Sequence, residues 1–577
     1  MAMEHPLWQA VSVALPQPGR LSGNTAWLHP SSATFRNPVK FPRMLRFPFT
    51  MPAMAAALPL AASLSLSMAQ DFSFENVRRL AAEKAAAPYA APADDLADFW
   101  KNLTYDQHRD IRFKMEAGLW AADEKPFSID FFHPGWTAKK TVTLNEVADA
   151  GVKPLFFDRS LFDYGKQQVP NGIPSPPGYA GWRARTHLNS QEYMDEFLVF
   201  LGASYFRSIP AKAPYGLSAR GLSLNSGLPG VPEEFPDFQA FWLKQPGNND
   251  TSLTAWALLD GPSVAGAYQF TVTPGPETVM EIEAEITLRQ PVKQLGLAPF
   301  SSMFWFGELT HPRAYDFRPE VHDSDGLLME LSTGARHFRP LDHTPDQFRH
   351  CVFTLDKPKA WSLLQRDRAF SSYQDVEAHY HDRPGARVEP LLGFDKGRLH
   401  LIEMPTADET NDNIIALWEP DPAPETGKPY RFKYRLVWLR DPVPSGLFAV
   451  KATRYGHPVQ RPNQLLFTID FAKPLNPEKK AGDPKWDDFS KFKPVVTTNH
   501  PDIRLIHADI TDLSMANVDD LPLGMGRNPE VHMPQMLRAF FVLEPPPGLT
   551  DIDMTCELRN GDGEAVSERW LYLWKKP

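Results

Sequence analysis

The stretch AYQFTVTPGPETVMEIEAEITLR, residues 267–289, decides the fold class. Two apolar runs flank Pro274-Gly275-Pro276, and after the turn Met280, Ile282, Ala284, Ile286 and Leu288 alternate with polar residues. A period of two puts every second side chain on one face. This is a β-hairpin with one wet face. Working outward, similar segments recur at RLHLIEMP (398–405), NIIALWEP (413–420), YRFKYRLVWL (430–439), LLFTIDF (465–471) and RAFFVLEP (538–545). The terminal DIDMTCELRNGDGEAVSERWLYLW (551–574) turns at Asn560-Gly561-Asp562-Gly563. Antiparallel strands with hairpin turns and few helices imply an all-β sandwich architecture.

Helical signals are few. FSFENVRRLAAEKAAA (72–87) repeats apolar residues at helical spacing and predicts an amphipathic helix. Short helices are also expected at SQEYMDEFLVFLG (190–202) and FPDFQAFWLK (235–244). In RDPVPSGLFAVKATRYG (440–456), Pro442, Pro444 and Gly446 interrupt the strand pattern. The expected organisation is a large β-sandwich over 70–441, a linker over 442–454, and a smaller body over 455–577 with the size of one immunoglobulin-like sandwich. No internal repeat of solenoid or propeller period is present.

Composition narrows the function. The 577 residues carry a formal net charge of -10, with 42% hydrophobic and 23% charged residues, which describes an ordinary globular protein. No lysine-arginine block occurs, which argues against nucleic acid or an anionic membrane as the main partner. Fifteen tryptophans and 57 prolines suit turn-rich β-structure, and flat aromatic faces suit sugar rings as well as cores. Only Cys351 and Cys556 occur, so no disulfide framework is available. Cys556 alternates with Ile552, Met554 and Leu558 and reads as a buried strand thiol.

The segment from Met44, MLRFPFTMPAMAAALPLAASLSLSMAQ, places Arg43 and Arg46 before an apolar, small-residue run that ends in Ser67-Met68-Ala69. It reads as a secretory signal over 44–69, cleaved after Ala69, without a twin-arginine pair. Residues 1–43 resemble neither a domain nor a targeting signal and read as an extension upstream of the true start at Met44. Nothing later is apolar enough for a membrane span.

Three acidic stretches could carry chemistry. RPEVHDSDG holds Glu320, His322, Asp323 and Asp325. RDRAFSSYQDVEAHYHDRP holds Asp375, Tyr380, His381 and Arg383. PTADETNDNIIALW holds Asp408, Glu409 and Asp412 between two strands. Asp408, Thr410, Asp412 and Glu419 stand at EF-hand-like offsets, but Asn413 replaces the turn glycine and the flanks are strands rather than helices. Ser218 lies between glycines in GLSARGL without a G-x-S-x-G elbow, and a tight turn explains it. No metal and no cofactor is expected. Paired carboxylates remain. Glycosidic cleavage needs one protonated acid and one ionised base, about 6.5–9.5 Å apart in inverting enzymes. Acids on strand-end loops, among Trp305, Phe306, Tyr315, Tyr373 and Tyr380, meet that need. On composition alone, a solvated turn capped by Asx residues accounts for DETNDN equally well.

GASYFR (202–207), YGLSARGL (215–222), EFPDFQAFW (234–242), RPEVHDSDGL (318–327), LLQRDRAFSSYQD (363–375) and EMPTADETNDNI (403–414) resemble the proteins of osmoregulated periplasmic glucan biosynthesis, types G and D. The resemblance runs from Phe72 to the terminal SERWLYLW. It is nearer to type G, through DETNDNI and the missing twin-arginine signal. It implies a large galactose-mutarotase-like β-sandwich followed by an immunoglobulin-like one, in a periplasmic protein acting on the β-1,2-glucan backbone. The implied activity is an anomer-inverting β-1,2-glucanase or a related transglycosylase. The alternative is a non-catalytic glucan-binding assembly factor, and a calcium lectin ranks third. By motif, the general acid falls on Asp412, with Glu409 helping it keep its proton. The base falls on Asp323, reaching its water through a relay. YHDRP resembles a substrate-covering loop, which puts Tyr380 and Arg383 near the water path or sugar hydroxyls. Trp305 and Tyr373 are expected to bind substrate. Asp325, where type G proteins can carry asparagine, is assigned no role. The implied partners are β-1,2-glucan and the membrane glucosyltransferase of the pathway.

Overall fold

The computed structural model describes residues 72–576 apart from 124, 311–314, 344–346, 441, 442, 444, 475–488 and 514–535. The expected extension over 1–43 and signal over 44–69 lie outside the described residues, as do Pro442 and Pro444 of the expected linker.

The 267–289 stretch forms the hairpin its alternation demands. Strands Val264–Thr273 and Thr278–Leu288 pair antiparallel from Val264 against Leu288 to Thr273 against Val279. Met280, Ile282, Ala284, Ile286 and Leu288 are all buried. The hairpin lies within a 14-stranded sheet, facing a second sheet of ten strands. Aromatic rings from both sheets interlock between them. Trp182 and Phe200 of the ten-stranded sheet meet Phe241 and Phe270 of the other at ring separations of 5.7 and 5.0 Å. Trp361 and Trp418 stack across the same core at 5.7 Å. The molecule is an all-β sandwich.

Helix Phe74–Ala86 forms as expected, burying Val77 and Ala81. It packs on the outer face of the large sheet against Trp242, Trp256 and Leu258. Residues 195–201 and 237–244 are strands rather than helices. In Asp237–Lys244, Phe238 and Phe241 point into the main core, while Ala240 and Trp242 point out under the covering helix. A strand buried on both faces loses its alternation, and a short apolar run then mimics helical spacing.

A second core forms around Phe467, Phe541, Trp570 and Tyr572. A four-stranded sheet (Ala449–Gly456, Leu465–Ala472, Met536–Glu544 and Arg504–Asp512) faces strands Lys493–Thr498, Asp551–Arg559 and Arg569–Lys575. The last three extend the 14-stranded sheet, because His337 and Phe338 pair in parallel with Arg569 and Trp570. Leu328, Phe338, Leu364 and Leu439 of the preceding chain complete this second core. Both cysteines are free, and Cys556 is buried as its alternation predicts. Among the described residues, no helix is long and apolar enough to cross a membrane.

Candidate active site

The site is assembled at the strand ends of the sandwich. The ladder of Phe304–Phe306 with Val321–His322 brings RPEVHDSDG alongside Trp305, and the Asp323 backbone N–H donates to Met303 O at 2.8 Å. Asn413 fixes the third acidic stretch to the same ladder. Its Oδ1 accepts from Phe304 N at 2.8 Å, and its Nδ2 donates to the carbonyls of Phe304 and Met404, each at 2.9 Å. His343 ties Trp305 to that stretch as well. Its Nε2 accepts from Thr406 N at 3.0 Å, which leaves Nδ1–H to donate to Trp305 O at 2.9 Å. Trp305 stays half-buried.

The three carboxylates of DETND have different fates. Asp408 is an Asx cap, its Oδ1 accepting from Thr410 N at 2.9 Å and from the Thr410 hydroxyl. Glu409 Oε2 accepts from Arg318 Nη1 at 2.7 Å and from the Tyr380 hydroxyl at 3.0 Å. Asp412 keeps 16% of its side-chain surface, with Arg207 Nη2 at 3.9 Å from its Oδ2. Burial pushes the Asp412 carboxyl above the ordinary range, and the Asp323 charge adds to this while Arg207 and Arg383 oppose it. The neighbouring negative charge is therefore that of Asp323. Glu409, expected in that role, is instead committed to Arg318 and Tyr380.

Asp323 is 5% exposed and paired with Arg383 Nη1. Arg383 also donates from Nε to Ala378 O at 3.0 Å and lies over the Tyr380 ring at 4.3 Å. The loop that carries both residues is held in turn by Arg368, which donates to the carbonyls of His381 and Arg383. Arg318 links all three acidic stretches. Its Nη1 donates to Asp375 Oδ2 at 2.9 Å as well as to Glu409, and Nε and Nη2 grip Asp316 at 3.0 and 2.9 Å. Burial alone would raise the Asp375 carboxyl, but the Ala378 N–H and Arg318 outweigh it and hold the carboxyl low.

One residue is placed differently from expectation. Tyr373 is fully buried, donates to Asp367 O at 3.2 Å, and packs between His322 and Tyr380. It supports Tyr380 rather than presenting a face to a sugar. Asp325 proves to be a clasp, its Oδ2 accepting the backbone N–H groups of Arg366 and Asp367. Gln365, one residue earlier, donates to the carbonyls of His322 and Tyr380 and accepts from His322 Nδ1. Glu419 pairs with His400 and Arg398. Among the described residues, the Asp408, Asp412 and Glu419 set is not one that gathers ligand atoms for an ion.

Comparison with known proteins now bears on this geometry. A family model described as "Periplasmic glucan biosynthesis protein, MdoG" matches residues 72–574. The chain belongs to this family. Similar family members include "Glucans biosynthesis protein G" of Ralstonia nicotianae, 42% identical over 73% of this chain and 85% of that protein. The protein of the same name from Bradyrhizobium diazoefficiens is 39% identical over 78% of this chain and 87% of its own length. "Glucans biosynthesis protein D 1" of Ralstonia nicotianae is 35% identical over 91% of this chain and 96% of its own. The MdoG match spans every side chain of the site described above.

Arg318, Arg207, His343 and Gln365 were not singled out by sequence reading, and Asn413 was read only as standing in place of a turn glycine. Arg318 did carry a signal, as a lone arginine opening an acidic stretch. Asn413 and Gln365 act through backbone partners distant in sequence, for which no local pattern exists. Chemically, the arrangement offers a carboxyl disposed to hold a proton near an arginine-paired carboxylate, on a floor of aromatics.

Proposed function

We propose that the protein takes part in periplasmic glucan biosynthesis by acting on the β-1,2-glucan backbone, as an anomer-inverting β-1,2-glucanase or related transglycosylase. The observation that carries this reading is the raised carboxyl of Asp412 beside the Arg383-paired Asp323. In this mechanism Asp412 donates its proton to the leaving glycosidic oxygen. Asp323, paired with Arg383, draws the proton from the attacking water, directly or through a relay. Tyr380 and Arg383 orient water and sugar hydroxyls, Trp305 offers an apolar ring face, and Glu409 fixes the Tyr380 hydroxyl.

Export by the 44–69 signal with cleavage after Ala69, and a periplasmic location, belong to the same proposal. So do a galactose-mutarotase-like body over 70–441 and an immunoglobulin-like one over 455–577, the latter serving contact with a membrane glucosyltransferase. A second reading, a non-catalytic glucan-binding assembly factor, draws support from relatives whose printed names say biosynthesis.

Linear β-1,2-glucan incubated with the purified protein separates the two. The enzyme reading expects shortened or cyclised chains, with Asp412→Asn and Asp323→Asn each slower by about 10²–10⁴-fold. Intact glucan bound equally by wild type and both variants would leave the assembly factor.

A further inference from the structure

The loop that carries Tyr380 and Arg383 holds a second set of groups that the acid pair does not use. His379, His381 and Asp382 are each half-buried, and one ligand atom from each lies within 4.8 Å of the other two. The backbone accounts for the grouping. His379 has φ 49°, a left-handed conformation uncommon for a residue with a Cβ. The turn places the two imidazoles side by side, with ring centroids 5.9 Å apart. Asp382 Oδ2 is 3.3 Å from His381 Nε2, while its Oδ1 is gripped by Arg440 at 2.6 Å. A carboxylate oriented by a further partner through its other oxygen is the usual state of a metal-ligating carboxylate. His381 Nδ1 is buried without a hydrogen-bond partner, a polar atom left unsatisfied on the same imidazole.

We propose that His379, His381 and Asp382 form a binding site for a divalent transition-metal ion, with Zn²⁺ the reference occupant. Two imidazoles and a carboxylate are the donor set of zinc sites that keep a fourth position open. Imidazole donors favour zinc and copper over calcium and magnesium. Zinc at about 2.0–2.2 Å from its ligands needs those atoms about 3.3–3.5 Å apart, so closing the site takes side-chain shifts of about an ångström. The other grouping among the described residues, Glu308, Glu320 and Asp367, is wholly carboxylate. Its members already face His322 and Arg454, and it carries no such proposal. Tyr380 lies between the ligands and Arg383 follows them directly. An ion bound here pins the turn that aims both residues at Glu409 and Asp323. That consequence rests on the catalytic reading, whereas the binding does not.

Zinc chloride titrated calorimetrically into the purified full chain, with bound metal counted after dialysis, tests the site. One ion per chain is expected, bound at least about ten-fold more weakly by His379→Asn or His381→Asn and lost in the double variant. His350→Asn, in the separate His350–His400 pair, leaves uptake unchanged. No uptake at about 100 µM free zinc, or equal uptake by the double variant, overturns the proposal. Should the double variant fail to fold, protection of His379 and His381 from diethyl pyrocarbonate by zinc in the wild-type chain decides it. Protection supports the site, and equal labelling with and without zinc overturns it. A glucan-turnover rate indifferent to zinc occupancy overturns only the coupling to the loop.

Discussion

Asp412 and Asp408 lie four residues apart in one acidic stretch and carry opposite expectations. Asp412 has a carboxyl raised by burial and by Asp323, so the folded protein binds its proton more tightly than the unfolded chain, whose aspartates titrate near about 3.9. The associated stability is full below that value and is lost as pH rises through the raised folded pKa. Asp412→Asn removes the loss, so chemical denaturation at pH 7 should show the variant more stable than wild type while it is nearly inactive. The activity of the wild type should fall on its alkaline side as Asp412 gives up its proton. Asp408 only caps the turn, and Asp408→Ala should cost about 1 kcal/mol in the same denaturation assay and leave most activity in place. The sequence pointed to the crowding of acids here but not to their division of labour. That division depends on Arg318, Arg207 and Arg383, which reach in from other stretches.

At the level of elements, strand Thr278–Leu288 was legible because its alternate residues stay only partly buried, so burial and alternation coincide. Strand Asp237–Lys244 was not, because helix Phe74–Ala86 covers its outer face and removes the alternation. The acid-bearing loops were legible as motifs, but the left-handed turn at His379 was not, since histidine carries no glycine-like signature for it. The loop over 379–384 depends on Arg368, whose guanidinium joins the carbonyls of His381, Arg383 and Arg440. Arg368→Ala should release Tyr380 and Arg383 together. The expected result is faster amide exchange across 379–384 and a loss of turnover, with the two main cores unaffected. Unchanged exchange there would show that the loop is held by other contacts.

Across the whole molecule, the large and small bodies share one sheet and are joined by ion pairs such as Arg366–Glu568. Arg366 binds Glu568 through both terminal nitrogens at 2.6 and 2.9 Å and stacks on Phe338 at 3.8 Å. The same residue's backbone N–H is clasped by Asp325, two residues beyond the proposed base. Removing one partner of a buried pair costs about 3–5 kcal/mol, so Glu568→Gln should lower the unfolding midpoint clearly in a denaturant titration. Ending the chain after Arg440 would expose Leu328, Phe338, Leu364 and Leu439 of the shared core. The truncated chain is expected to aggregate, and a soluble, native-like product would show the bodies to be independent. The continuous sheet was not legible in the sequence, because His337–Arg569 pairing joins residues more than half the large body apart.

The most direct test of the catalytic claim is the anomer first released from linear β-1,2-glucan, followed by time-resolved proton NMR beside Asp412→Asn. Inversion by the Asp412–Asp323 pair predicts α-anomeric reducing ends ahead of mutarotation, or ring closure without new ends, and neither in the variant. First release of the β-anomer, or glucan left intact by the wild type, would contradict it.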